Sequence, residues 1–229
     1  MEKIETGTIF KFTIPFNLGI GYAKFEDWSD QSQFYGFLIK VFDFFEDKEI
    51  VDMEIFRDLP LFMNPIPISK RPTLKGKYSW KKLGVLKEKI DLETQVFKRY
   101  QYNGFAWGTL EEYQEKKWYA DVNFKESIGL LDFDKVRHLE ELFIRSTVTI
   151  ERRVAMQLLR YKGIDVEHFF DKNAQDRNWI VDFYTQQWIP LYKLIPLVIR
   201  GKPLIEGFVP NEYLNFDWNS INPTSSSMS

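Results

Sequence analysis

The sequence predicts an α+β protein with three parts. A strongly bent antiparallel β-barrel or half-barrel, of SH3-like or similar kind, covers residues 1–128. A helical extension packed on it covers 129–218, and a disordered tail covers 219–229. Three observations predict this. Apolar and polar residues alternate with period two through the first half, punctuated by glycine and proline. Apolar residues at helical spacing follow Gly129. The chain also carries 21 Phe, 11 Tyr and 7 Trp, and that much aromatic surface needs a packed interior.

The strands begin at Gly7. Ile9, Phe12 and Ile14 alternate with Thr8, Lys11 and Thr13, which reads as one half-buried strand. Pro15 ends it for want of an N–H. Gly19 and Gly21 mark a turn or a close backbone approach, and Tyr22-Ala23-Lys24-Phe25 resumes the alternation. Phe37–Phe42 reads as a more deeply buried strand. Glu46-Asp47-Lys48-Glu49 reads as a hairpin turn, leading to a strand with Val51, Met53 and Ile55 on one face and Asp52, Glu54 and Phe56 on the other. Pro60, Pro65, Pro67 and Pro72 make the next stretch an extended crossing connection and exclude a central strand. Thr94–Tyr102 has strand composition, with Asn103-Gly104 as a turn, and Lys116–Phe124 closes the sheet.

Beyond Gly129, Asp132 or Asp134 can cap a helix. Val136, Leu139, Phe143, Ile150, Val154, Leu158 and Tyr161 follow at helical spacing, with Gly163 as the stop, so one amphipathic helix is expected over Val136–Tyr161. Arg152 and Arg153 are placed away from its apolar stripe. A second helix is expected over Gln175–Trp188, bent or ended by Pro190. Leu194–Ile199 fits either a helical turn or a strand. The segment 219–229, rich in serine, reads as disordered.

Composition narrows the functions. No cysteine means no disulfide, thiol nucleophile or Cys-zinc site. A formal net charge of −2 does not describe a polyanion binder. The N-terminus has no apolar signal segment and the chain no unbroken transmembrane run, so a soluble cytoplasmic protein is expected. There is no G-x-S-x-G elbow and no phosphate loop, and Gly19-Ile20-Gly21 lacks the third glycine of a dinucleotide fingerprint. His138 and Glu141 could share a helix face, but catalytic metals take three or more ligands. No catalytic, cofactor or metal residues are assigned, and the expectation is a protein that is not an enzyme.

Two charged segments remain. In 43–58, Asp43, Glu46, Asp47, Glu49, Asp52, Glu54 and Asp58 face only Lys48 and Arg57, with Phe44, Phe45 and Phe56 interspersed. Such a run is either a solvated strand face that discourages edge pairing or an acidic docking surface with apolar anchors. In Lys70–Lys89, basic residues surround Tyr78 and Trp80. That is either a surface loop around a buried tryptophan or a nucleic-acid or peptide-binding face.

Gly7-x-Ile9-Phe10-x-Phe12-x-Ile14-Pro15, Gly19-x-Gly21-Tyr22-Ala23, Phe37-Leu38-Ile39-Lys40-Val41-Phe42 and Trp80-x-x-Leu83-Gly84 together resemble the Immunity protein 26 family of bacterial toxin–immunity systems, over roughly residues 5–90. The family usually has an acidic residue after the first glycine, where this chain has Thr8. The resemblance implies a non-enzymatic cytoplasmic protein that binds and neutralises a cognate toxin, commonly a nuclease, often encoded beside it. Asp43, Glu46, Asp47, Glu49, Asp52, Glu54, Phe45 and Phe56 are then the expected partner-binding residues. No membrane and no cofactor are implied.

Overall fold

Gly7 starts the first sheet, and its backbone requires glycine. Its φ is 85°, and a Cβ there would overlap the carbonyl of Leu86. The computed structural model describes residues 3–15, 17–30, 36–46, 52–76, 79–86, 95–100, 114–122, 126–142, 146–162, 197–199 and 202–204. Within them, β1 (Thr8–Thr13) pairs antiparallel with β2 (Ile20–Asp27) and with β5 (Lys81–Val85). β2 pairs with β3 (Phe37–Glu46), and β3 with β4 (Ile66–Ile68), giving the order β4-β3-β2-β1-β5. The β1–β2 turn uses Asn17 and Gly19, with φ of 57° and 105°. Gly21 leaves room for the Phe12 ring, which a Cβ would approach to 2.7 Å. Pro67 lies on β4, an edge strand, where its missing N–H costs no central pairing.

Both faces of this sheet are covered. Phe10, Phe12 and Ile14 of β1 face one side, together with Ala23, Phe25, Ile39, Val41 and Phe45. Ile9 packs on the opposite side with Tyr22, Phe42 and Phe56, because odd steps of three and five residues place it across the strand from Phe12 and Ile14. A strand buried on both faces has no polar face to mark its register. Bulges fall between Ile9 and Phe10 and between Gly21 and Ala23. They bend the sheet but do not close it. Among the described residues, β4 and β5 remain its two edges, so the expected barrel is not formed.

A second sheet, of order β8-β7-β6-β9, contains β6 (Val96–Tyr100), β7 (Trp118–Val122), β8 (Glu126–Leu131) and β9 (Glu140–Glu141). β6 and β7 are strands as expected, but they build this second sheet and do not close the first; Asn103-Gly104 lies outside the described residues. The division expected at 128/129 falls inside β8, so strand structure continues past it. A short helix, α1 (Phe133–Val136), covers one face of this sheet, with Phe133 and Val136 packed on Trp118 and Ala120. β10 (Leu197–Ile199) and β11 (Lys202–Leu204) form a separate antiparallel pair, so the last three residues of Leu194–Ile199 are strand, while 194–196 lie outside the described residues.

The single helix expected over Val136–Tyr161 is broken. α1 ends at Val136, Glu140 and Glu141 pair in parallel with Phe97 and Lys98, and α2 runs only over Thr147–Tyr161. Ser146 sets that start: its backbone is extended and its Oγ accepts the Thr149 N–H at 3.3 Å. α2 then buries Ile150, Val154, Ala155, Leu158 and Leu159 against the first sheet. The helix expected at 175–188 and the tail at 219–229 lie outside the described residues. No helix among the described residues is long and apolar enough to cross a membrane.

Candidate protein-binding surface

Residues 52–58 of the acidic segment do not form the second strand of a hairpin, and most of the turn expected at Glu46–Glu49 lies outside the described residues. Glu54–Arg57 is a 3-10 turn laid across the face of the first sheet opposite α2. Its spacing explains why. Phe56 is 2% exposed and inserts between Tyr22 and Phe42, with ring centroids 5.2 Å from each, while Met53 and Ile55 pack beside it. Asp52, Glu54, Arg57 and Asp58 are left pointing into solvent. The Asp52 carboxylate accepts the Glu54 N–H at 3.0 Å, an acidic cap on the turn. Arg57 grips Glu54 with two bonds, one of them Nη2 to Oε1 at 3.3 Å. That hydrogen bonding holds the Glu54 carboxyl below its ordinary range, so it is charged at neutral pH.

The predicted site residues therefore separate. Asp52 and Glu54 come together on an exposed, anchored turn, and Asp58 joins them. Phe56 anchors that turn from beneath and offers nothing to a partner. Phe45 is 2% exposed on the other side of the sheet, edge-on to Phe62 at 4.8 Å, and belongs to the core. Asp43 is half-buried on β3, where its backbone N–H donates to Pro60. Glu46 ends β3 opposite Ile20; Asp47 and Glu49 lie outside the described residues.

The basic segment loses its central ring. Trp80 is 1% exposed, stacked on Phe12 with centroids 4.7 Å apart, and its indole N–H donates to Glu151 Oε1 at 2.7 Å. Burial raises the Glu151 carboxyl, and the indole hydrogen bond works against that rise. Trp80 thus holds α2 to the sheet. Lys70, Arg71 and Lys75 are exposed, and Arg71 pairs with Asp27 at 2.7 Å. Tyr78 lies outside the described residues.

A second group of charges was not legible in the sequence. Arg153, placed above on the solvent side of α2, is 2% exposed and forms a two-armed ion pair with Glu140, itself 3% exposed. Gln157, one turn along, is buried with it. On the other face of the second sheet, Lys98 lies under α1, its ammonium 5.3 Å from the Phe133 ring and donating to the Arg137 carbonyl at 3.1 Å. Burial pushes Lys98 down to about 8, opposed by the charges of Glu140 and Glu141. The available signal was the run Val154–Leu159, polar only at Gln157, which is wider than an amphipathic stripe and implies a helix buried on several sides.

His138 and Glu141 do not share a helix face, because the helix has ended before them. His138 is tied instead through its carbonyl, which accepts from Asn64 at 3.2 Å. Among the described residues no three His, Cys, Asp or Glu side chains group as metal ligands. No family model, no curated protein and no solved structure matches this chain.

Proposed function

We propose that this chain is an immunity-type protein that binds and neutralises a cognate bacterial toxin with a basic active face, such as a nuclease, in the cytoplasm of the cell that makes both. The observation that carries the reading is the anchored turn: Asp52, Glu54 and Asp58 held in solvent by a buried Phe56. A preorganised acidic patch costs little ordering entropy on binding. It also attracts a basic partner at a distance, raising association rate and selectivity. The Gly7, Gly21 and Trp80 positions that carry the resemblance to the Immunity protein 26 family all have demanding roles in the first sheet, and we read that bent, open sheet as the family's half-barrel.

The test is co-purification with the product of the neighbouring gene, followed by Asp52→Asn, Glu54→Gln and Asp58→Asn together. These changes remove charge but keep the shape and the Asp52 acceptor. Protection against the toxin should fall by about tenfold or more, with folding unchanged by circular dichroism. Full protection by the triple variant would overturn the assignment of this face. Loss of protection on Lys70→Glu with Lys75→Glu instead would move the interface to the basic segment.

A further inference from the structure

We propose that the four-stranded sheet opens away from α2 as a unit, at a seam whose buried polar groups are under-partnered while it is closed. The two sheets have separate interiors. The first packs Phe10, Phe12 and Trp80 against Val154 and Leu158 of α2, and the second packs Trp118 and Ala120 against α1. Between them lie a small apolar contact of Trp28, Leu38, Phe97 and Leu142, the Glu140–Arg153 pair and an exposed hydrogen bond from the Asn64 side chain to the His138 carbonyl.

The members of that pair belong to different units. β9 is tied to β6 by its register with Phe97 and Lys98 and by the Leu142 N–H, which donates to the Lys98 carbonyl at 2.7 Å. Glu140 therefore travels with the four-stranded sheet. Arg153 belongs to α2, which the first sheet holds through its apolar face and through Trp80–Glu151.

Closing the seam leaves three polar atoms sealed from solvent with no hydrogen-bond partner among the described residues: Nε of Arg153 and both amide atoms of Gln157. Water would satisfy all three. A buried polar atom left unpaired forfeits its hydration outright, and a buried ion pair recovers in attraction little more than it loses in desolvation. Opening restores hydration to Glu140, Arg153 and Gln157 and, among the described residues, parts one small cluster of four buried apolar side chains. Segments joined by few apolar contacts open locally at less than the global cost. The contact of the first sheet with α2 gains less from opening, because it is apolar apart from the Trp80–Glu151 bond, whose indole donor is paired.

Single cysteines in the full chain, which has none of its own, test this. Under native conditions a thiol reagent should label Leu142→Cys, on the seam, through an opening at least about tenfold more populated than the one exposing Val41→Cys in the first core. Adding Gln157→Leu, which replaces the unpaired amide with an apolar group, should lower the first population about tenfold relative to the second. Glu140→Leu with Arg153→Met should do the same; if that double variant does not fold, Gln157→Leu decides. One common opening free energy at both cysteines would overturn the proposal. So would a Gln157→Leu protein in which the ratio between the two is unchanged.

Discussion

Toward α2, the first sheet presents Phe10, Phe12, Ile14, Ala23, Phe25, Ile39 and Val41. The second sheet, of shorter strands, buries Lys98, Asp121 and Glu140 among Phe97, Trp118 and Ala120. The buried charges of the first sheet, Glu26 and Lys40, pair at 2.9 Å on the face away from α2, beside Trp28, whose indole N–H donates to Glu26. The difference teaches what each region is for. An apolar interface gains stability from every methylene it buries and is indifferent to pH. A charged one gains little net stability and specifies one arrangement of partners. The acidic turn rests on the face away from α2, on the apolar cluster of Ile9, Tyr22, Phe42 and Leu86.

The contrast predicts that removing one member of the buried pair has the largest effect. Arg153→Met leaves Glu140 buried and unpaired, and should cost about 3–5 kcal/mol by denaturant unfolding. The neighbouring Arg152, half-buried on the same helix, should tolerate Met far better. Equal costs at the two positions would mean that the ion pair is not formed.

Next come the apolar contacts of α2. Val154→Ala or Leu158→Ala should each cost about 2–4 kcal/mol, since both side chains are fully buried in the first core. A cost under about 1 kcal/mol at both would show that α2 is not docked on the sheet.

The smallest effect concerns pH. Lys98 titrates near 8 in the folded protein and near its ordinary value, about 10.4, when unfolded. Between those values the unfolded chain holds a proton that the folded one has lost. Stability should therefore rise with pH from about 8 to about 10.4 and be flat from this group below 8. The rise is on the order of 3 kcal/mol at most. Lys98→Met should abolish it; a rise of the same size in that variant would assign it to another group.

Much of the first sheet was legible because glycine, proline and alternation carry local geometry. Gly7, the Pro15 stop and the β1–β2 turn follow from backbone sterics that neighbouring residues reveal. Ile9 does not belong with Phe12 and Ile14 on one face, since odd steps of three and five residues separate them; burial of β1 on both faces hid that parity. At 51–58 the alternation of Val51, Met53 and Ile55 with Asp52 and Glu54 mimics a strand. The i,i+3 spacing of Glu54 and Arg57 was the competing signal, and it prevailed. Helical periodicity ran across 140–146, where pairing of Glu140 and Glu141 with β6 overrides it and Ser146 restarts the helix. For the candidate site, the charges of Asp52, Glu54 and Asp58 were readable, but which phenylalanines lay beneath them was not. The Glu140–Arg153 pair depends on tertiary packing that no local pattern encodes.

The central claim, that an acidic turn recruits a basic protein, is tested most directly by association kinetics across ionic strength. The full chain and the Asp52→Asn, Glu54→Gln, Asp58→Asn variant would be mixed with the neighbouring gene's product by stopped flow. The account predicts an association rate that falls steeply with salt for the unaltered chain. The variant should start about tenfold slower at low salt, and the two rates should converge at high salt. Equal rates with equal salt slopes would contradict it.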